Sequence, residues 1–204
     1  MRSLLQVFLC AVIAAIMTPC VVGDDVVYSS SVSSSGQYTT PATKDSTIMR
    51  STVSCTNCPN FNCYECTLGY NLTLVASTGG MAYIQALIGF KMPVSGSSVA
   101  SCSIQIPAFT TPLQYPVTAQ FFTAASLDWN EDTVTANNAP AVGTLINSVT
   151  VPAYNNLAAS DITAACQTAT SDGEFSVYIG TQFDRFEFWS KDSGNPAILH
   201  ITTS

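Results

Sequence analysis

Four cysteines lie close together in the segment SCTNCPNFNCYEC (54–66), where they form two C-x-x-C pairs separated by four residues. Such pairs bind zinc, exchange thiols with disulfides, or form structural disulfides. Zinc-binding pairs usually stand about 15–20 residues apart, so four residues leave little chain to wrap a tetrahedral ion. A redox C-x-x-C begins a helix, whereas Pro59, Asn60 and Asn62 favour a loop. We therefore expect structural disulfides here.

The start of the chain determines the redox compartment. Arg2 is followed by an apolar run (4–17) and by small residues up to Gly23, which is typical of a secretory signal peptide and predicts cleavage near residue 23. The run is too short for a stable membrane span. We expect the mature protein to be secreted and extracellular. The six cysteines outside the signal peptide are then predicted to form disulfides: Cys55, Cys58, Cys63, Cys66, Cys102 and Cys166.

The pairing of these six cysteines is not determined by their spacing. Neighbouring cysteines in a C-x-x-C pair rarely bridge each other without strain. We therefore expect the 55–66 segment to bridge outward, to Cys102 and Cys166.

The charge of the mature chain excludes two classes of partner. Five basic residues face thirteen acidic ones, a net charge of −8 after loss of Arg2. Such a protein repels phosphate backbones and anionic lipids, so we expect no nucleic-acid binding. We also expect no membrane span, because the rest of the chain has no second run of about 18 or more apolar residues.

The mature chain divides into a lead-in and a body. Residues 24–47 include the Ser/Thr-rich stretch SSSVSSSGQYTTPATKDST (29–47), which has little to bury and predicts a flexible lead-in. An edge strand that begins near residues 45–49 is the alternative for its end. Residues 48–204 are expected to form a single domain.

The body follows a period of two. In YNLTLVA, for example, Tyr70, Leu72 and Leu74 share one face, which predicts a β-strand. Similar runs separated by Gly, Pro and Asn predict further strands at 82–90, 101–106, 117–122, 145–151, 174–179, 185–190 and 197–201. Only 158–167 predicts a helical turn. The fold class is therefore an all-β sandwich of the jelly-roll type, stapled by disulfides.

Three stretches of this body stand out together: LDWNEDTVTANNAP (127–140), SDIT (160–163) and FWSKDSGNPAILHI (188–201). This series resembles the DNRLRE family, also classed as carbohydrate-binding module family 96. The family pattern includes a W-x-E-x-x-V-T-W-x-N-x-P loop, a D-V-T turn and a final S-K/R-E…P-x-L-x-I strand. The matching residues are Trp129, Glu131, Val134, Thr135, Asn138 and Pro140, then Asp161, Ile162 and Thr163, then Ser190, Lys191, Asp192, Pro196, Leu199 and Ile201. The strand pair at 84–106 is also similar to the family's pattern.

The resemblance implies a secreted β-sandwich that binds a polysaccharide without catalysis. The chain departs from the pattern at Ala136, where the family has a second Trp, and it lacks the family's arginines in the strand at 84–89. Anionic polysaccharides such as alginate would be bound through Lys and Arg, which are scarce here. We therefore expect a neutral extracellular or cell-wall glycan, or a protein neighbour.

Aromatic rings are the usual platforms for sugars, because a flat apolar ring stacks on a pyranose face. The candidate ligand contacts are Trp129, Trp189, Tyr83 and Tyr178. Packing in the core is the alternative for each of them.

Carboxylates that cluster in the sequence are the remaining chemical candidates. Asp128, Glu131 and Asp132 would suit a calcium-binding loop, with solvated loop acids as the favoured alternative and catalysis as a third. His200 is interpreted as a structural residue of the last strand, and no G-x-S-x-G motif occurs, so we expect no enzyme. Asn71 begins an N-x-T sequon, which predicts N-glycosylation.

Two functions from different classes remain open. One is a secreted, non-catalytic carbohydrate-binding protein. The other is a structural subunit of an extracellular coat, fibre or matrix that associates with itself, which the low charge and high Ser/Thr content favour.

Overall fold

The computed structural model describes residues 31–32, 36–170 and 172–204, so the predicted signal peptide and the first part of the lead-in lie outside the described residues. These residues form eleven strands and one short helix, α1 (Thr163–Cys166). The strands are β1 (Ser31–Val32), β2 (Gln37–Ser51), β3 (Thr73–Gly79), β4 (Ala82–Lys91), β5 (Val99–Gln105), β6 (Val117–Ala124), β7 (Val142–Val151), β8 (Ser160–Asp161), β9 (Glu174–Thr181), β10 (Asp184–Trp189) and β11 (Ile198–Thr203). No helix among them is long and apolar enough to cross a membrane.

The strands form two packed sheets that share the long strand β2, and every pairing is antiparallel. Sheet A consists of β1, the first half of β2, β11, β5 and β8. Sheet B consists of β7, β6, β9, β4 and the second half of β2, and β3 continues it from β4 to β10. The register of β2 against β4 shifts between Ala42 and Lys44, the point at which β2 passes from one sheet to the other. The predicted all-β sandwich is confirmed.

The core lies between the inner faces of the two sheets. Sheet A contributes Ile104, Leu199 and Ile201, and sheet B contributes aromatic residues such as Phe90 and Phe175, whose rings stack with centroids 5.4 Å apart. These residues recur at every second position, as expected for strands with one buried face. The period of two therefore predicted the core residues of these strands. It was wrong for Tyr70 and Leu72, which are exposed because β3 begins only at Thr73.

Sheet B is covered on its outer face as well. The loop 127–140 lies across it, and Trp129 and Val134 pack against Ile48, Leu87 and Tyr178 in a second apolar cluster. No comparable cluster covers the outer face of sheet A in the part of the chain that the structure describes. Sheet A is thus the sheet that offers a face to solvent.

All six predicted cysteines form disulfides, but their pairing differs from the expectation. Cys55 bridges Cys63, Cys58 bridges Cys66, and Cys102 bridges Cys166. The prediction that the 55–66 segment reaches Cys102 and Cys166 was wrong. The physical reason is that the two C-x-x-C pairs face each other across a tight loop, where the N–H of Cys55 bonds the carbonyl of Phe61 at 2.9 Å, so the segment closes on itself.

The predicted flexible lead-in must also be corrected where the structure describes it. Residues 37–47 belong to β2, which lies between β11 and β1 in sheet A and then beside β4 in sheet B. Threonine suits a strand because it is β-branched. Its hydroxyl is also satisfied in the interior, since Thr40 donates to the carbonyl of Lys91 at 3.1 Å and Thr47 accepts from the N–H of Val75 at 3.1 Å.

Candidate functional site

The outer face of sheet A forms a shallow hollow of about 460 Å³. Its floor is formed by every second residue of neighbouring strands, because the residues in between point into the core. One row crosses the sheet through Thr39, His200, Ser103 and Asp161, which are paired in register on β2, β11, β5 and β8. A second row joins Gln37, Thr202 and Ser101. The hollow is therefore lined mainly by hydroxyl, amide and imidazole groups.

A second hollow of about 480 Å³ continues the first along β5 and β11. Gln105 and Ile198 face each other in the next outward row, and both line this second hollow. Trp189 lies at its side with Asn195, and 37 % of the tryptophan is exposed. From Ser101 to Gln105 the outward rows extend over about 13 Å. We call the two hollows together the sheet A groove.

The chemistry of the sheet A groove suits an uncharged, hydroxyl-rich ligand. Among its lining residues in the described chain there is no lysine or arginine, and Asp161 is the only carboxylate. That carboxylate accepts hydrogen bonds from the N–H and hydroxyl of Thr163 at 2.9 and 2.6 Å, and these bonds lower its pKa. Hydrolysis of a glycosidic bond usually needs two opposed carboxyl groups. This lining has the groups for hydrogen bonding and stacking.

Trp189 is the predicted aromatic residue that the structure brings to the groove. Trp129 and Tyr178 are buried, and their polar atoms are engaged: the indole N–H of Trp129 donates to Ser176 Oγ at 3.0 Å, and the hydroxyl of Tyr178 donates to the carbonyl of Pro140 at 2.6 Å. Neither ring has a free face, so both are packing residues. Tyr83 is half-buried and its hydroxyl accepts from Gln85 Nε2 at 2.8 Å, away from the groove lining.

The predicted acidic loop is divided by the fold. Asp128 and Asp132 are exposed, whereas Glu131 turns inward and accepts the backbone N–H of Asp45 at 2.6 Å. Its other oxygen lies 2.9 Å from Lys191 Nζ, which also lies 3.0 Å from Asp192 Oδ1. We call Asp45, Glu131, Lys191 and Asp192 the acidic junction. A carboxylate cluster thus forms around Glu131, but its partners are Asp45 and Asp192 rather than Asp128 and Asp132.

Burial governs the protonation of the acidic junction. Burial raises the pKa of Asp45 to about 7, although its Oδ2 accepts the backbone N–H of Lys191 at 2.8 Å. Burial also raises the pKa of Glu131. Burial opposes the charge of Lys191, but the hydrogen bonds from its ammonium to Glu131 and Asp192 outweigh that effect and raise its pKa.

The residues of the loop motif lie in structural positions. Lys44 binds the carbonyls of Leu127 and Trp129 at 3.1 and 2.9 Å, and its ammonium lies 4.5 Å from the centroid of the Trp129 ring. Asn138 closes its own turn by accepting the N–H of Thr135 at 2.7 Å. These contacts fasten the loop 127–140 onto sheet B.

The final motif is structural as well. Ser190 is fully buried and its hydroxyl donates to the carbonyl of Asn71 at 2.6 Å. The side chain of Asn71 is exposed, just before β3, so N-glycosylation there stays a prediction that the geometry permits.

Sequence reasoning missed most of the groove. His200 was interpreted as a structural residue, but its side chain is exposed on the outer face of β11. On β5, the polar residues at 101, 103 and 105 alternate with buried apolar residues. On β11, the polar residues at 200 and 202 alternate with buried apolar residues in the same way, and the outward position 198 is an isoleucine. This alternation was a readable signal for a solvent-facing sheet, although it did not reveal that the two strands lie side by side.

Comparisons with known proteins agree with this architecture. Residues 67–203 match the model of carbohydrate-binding module family 96. An uncharacterized secreted protein of Arthroderma benhamiae is 55 % identical over 164 residues, which cover 80 % of this chain and 84 % of that protein. With the three disulfides, this likeness confirms that the protein is secreted and extracellular. The chain belongs to carbohydrate-binding module family 96.

Proposed function

We propose that this secreted protein is a non-catalytic carbohydrate-binding protein, and that it binds a neutral extracellular or cell-wall glycan along the sheet A groove. Membership of a carbohydrate-binding family supports the class of ligand. The observation that carries the proposal is the set of outward hydroxyl, amide and imidazole side chains on β5 and β11, together with the exposed Trp189 at the side of the same groove.

A polysaccharide chain suits the dimensions and chemistry of this groove. Its hydroxyl groups can exchange hydrogen bonds with Ser101, Ser103 and His200, while one sugar ring stacks on Trp189. Gln105 is held between the two hollows because its amide donates to the carbonyls of Ile106 and Leu157 at 3.0 and 3.1 Å. A side chain fixed in this way loses little entropy when a ligand binds.

The absence of cations from the described lining favours a neutral glycan over an anionic one. The nearest fixed charge in the groove is the carboxylate of Asp161, and the whole mature chain is predicted to carry a net charge of −8. Both would repel uronate polymers.

The test is affinity gel electrophoresis of the mature protein in gels that contain one soluble polysaccharide each. The panel should include neutral β-1,3-glucan, xyloglucan and galactomannan, with alginate and pectin as anionic comparisons. We expect at least one neutral polymer to retard the protein. The variant Trp189→Ala should bind at least about tenfold more weakly, which corresponds to about 1.4 kcal/mol.

The matched control is Phe183→Ala, because Phe183 is an exposed aromatic residue outside the groove lining. It should migrate like the parent protein. Retardation by the anionic polymers alone, or equal weakening by both substitutions, would contradict the proposal.

Self-association is the second candidate function. Strand β7 is the last strand of sheet B in the described order, and it pairs with β6 on one side. Its other side approaches β8, where Asn147 Nδ2 donates to the carbonyl of Asp161 at 2.9 Å, but it forms no strand pairing there in the described chain. An open strand edge is a template for pairing with a second copy. Sedimentation velocity at several protein concentrations separates the two functions, since assembly without retention by any polysaccharide would favour a structural subunit.

A further inference from the structure

The acidic junction contains a buried polar atom without a hydrogen-bond partner in the described part of the chain. Asp45 is 1 % exposed, and its Oδ1 has no hydrogen-bond partner among the described residues. The other oxygen, Oδ2, accepts the N–H of Lys191. Buried polar atoms almost always have a partner, and an unpaired one is costly. This buried, unpaired oxygen is therefore a candidate ligand atom for a bound group.

The geometry of the junction suits a single metal ion. Asp45, Glu131 and Asp192 each offer a carboxylate oxygen, and these oxygens lie within 4.8 Å of one another. Calcium binds oxygen ligands at about 2.3–2.6 Å, so two of its ligands stand at most about 5 Å apart. A donor set made only of oxygen favours a hard cation over zinc or copper.

The charge balance points to a divalent ion. Three carboxylates face one ammonium, Lys191, which leaves two negative charges on the junction when all the acids are ionised. Asp192 is exposed while Asp45 is buried, so the cluster opens to solvent on one side. That opening provides an entry path and room for water ligands, which calcium needs to reach six to eight oxygens.

We propose that Asp45, Glu131 and Asp192 bind one calcium ion, with Oδ1 of Asp45 as the innermost ligand. The ion ties together β2, the loop 127–140 and the turn after β10, three segments that are distant in sequence. Calcium fits better than magnesium because it tolerates irregular coordination, whereas magnesium demands near-ideal octahedral geometry. The site shares Glu131 with the loop of Asp128 and Asp132 but uses neither of those residues.

The experiment is calcium titration of the full mature protein after treatment with EDTA. Isothermal titration calorimetry measures calcium directly, and terbium luminescence gives a second readout because Tyr70 lies near Glu131 and Lys191 and can serve as an antenna. We expect one saturable calcium site with a Kd on the order of 10⁻⁴–10⁻³ M, the range of extracellular modules. Calcium should also raise the melting temperature.

Two variants locate the site. Asp192→Asn removes an exposed ligand without disturbing the core, and it should weaken calcium binding at least about tenfold. Asp128→Asn changes an exposed carboxylate of the neighbouring loop and should bind calcium like the parent. The absence of saturable binding in the parent, or equal binding by Asp192→Asn, would overturn the proposal. Neither outcome bears on the sheet A groove, which polysaccharide retention tests separately.

Discussion

The sheet A groove and the acidic junction are both polar, but they use their polar groups in opposite ways. In the junction, Glu131 and Lys191 are bonded to neighbouring protein groups, and Asp45 is bonded through Oδ2. In the groove, His200 and Trp189 present their side chains to solvent. The junction therefore holds the fold together, whereas the groove is available for a ligand.

Most residues of the family motif have a structural role like that of the acidic junction. Trp129, Glu131, Ser190 and Lys191 all fasten one segment to another. Of the matched motif residues, Asp161, Pro196 and Ile201 line the groove, while most of its lining comes from other positions on β2, β5 and β11. The motif thus identifies the scaffold, and under the proposed function the choice of glycan would depend mainly on residues that the motif does not fix.

The two tryptophans give the largest expected contrast. Trp129→Ala should reduce the free energy of unfolding by about 3–5 kcal/mol, because it leaves a cavity and removes the hydrogen bond to Ser176. Trp189→Ala should change stability by less than about 1 kcal/mol. Urea denaturation measures both variants.

Polysaccharide retention should show the opposite order. Trp129→Ala should bind like the parent under conditions in which it is folded, and Trp189→Ala should not. If Trp129→Ala were as stable as the parent, the packing of the loop 127–140 on sheet B would not stabilise the fold as its contacts indicate.

Lys191→Met tests the electrostatics of the junction. The substitution leaves three carboxylates together without their ammonium, and we expect it to cost about 2 kcal/mol in unfolding free energy in the presence of EDTA. Calcium should restore part of that loss, because the ion would replace the missing positive charge. Lys91→Met, which changes an exposed lysine at the end of β4, is the matched control and should have little effect. An equal loss with and without calcium would mean that the ion does not bind at the junction.

The fold was largely predictable from the sequence because each strand carries its own signal. Buried residues alternate with more exposed ones along β5 and β11, and this pattern can be recognised within each strand without knowing which strands pair with it. The strand at residues 37–47 was not predicted because Thr40, Ser46 and Thr47 are polar yet buried. Their burial depends on hydrogen-bond partners that only the folded chain supplies.

The site was less predictable because it depends on long-range assembly. Asp45, Glu131 and Asp192 are far apart in sequence, and no spacing links them. The pairing of Cys55 with Cys63 depends on the path of a tight loop. The groove depends on which sheet face remains uncovered, and Trp129 covers sheet B whereas no residue of that kind covers sheet A in the described chain.

His200→Ala should separate binding from stability at a smaller scale. The side chain is exposed on β11, so its loss should change the unfolding free energy by less than about 0.5 kcal/mol. Loss of one hydrogen bond to a sugar hydroxyl should weaken glycan binding roughly threefold to tenfold. Gln182→Ala, an exposed polar residue outside the groove, provides the control. Unchanged affinity in His200→Ala would restrict the binding surface to the half of the groove near Trp189.

The smallest expected effect concerns Asp161, which belongs to the groove lining and also supports the fold. The hydroxyl and N–H of Thr163 lower the pKa of this carboxyl, and the hydroxyl of Thr163 accepts the N–H of Cys102 at 2.9 Å, so the bonds connect β8, α1 and β5. Because the pKa is lower in the folded protein, the stabilisation is fully present above the pKa of the unfolded chain, near 4. It is lost as the pH falls through the lower folded pKa. The side chain is largely exposed, so solvent screening limits the effect to a few tenths of a kcal/mol.

Asp161→Asn isolates this contribution from the other carboxylates that titrate in acid. The asparagine side chain can still accept from Thr163, so the variant should fold, but its stability should fall less steeply than that of the parent between about pH 5 and pH 2. Urea denaturation at each pH measures the difference, with Asp172→Asn as an exposed control outside the groove. If the unfolding free energies of the parent and Asp161→Asn fell equally as the pH is lowered, the carboxylate would not stabilise β8. Its charge would then act on ligands of the groove alone.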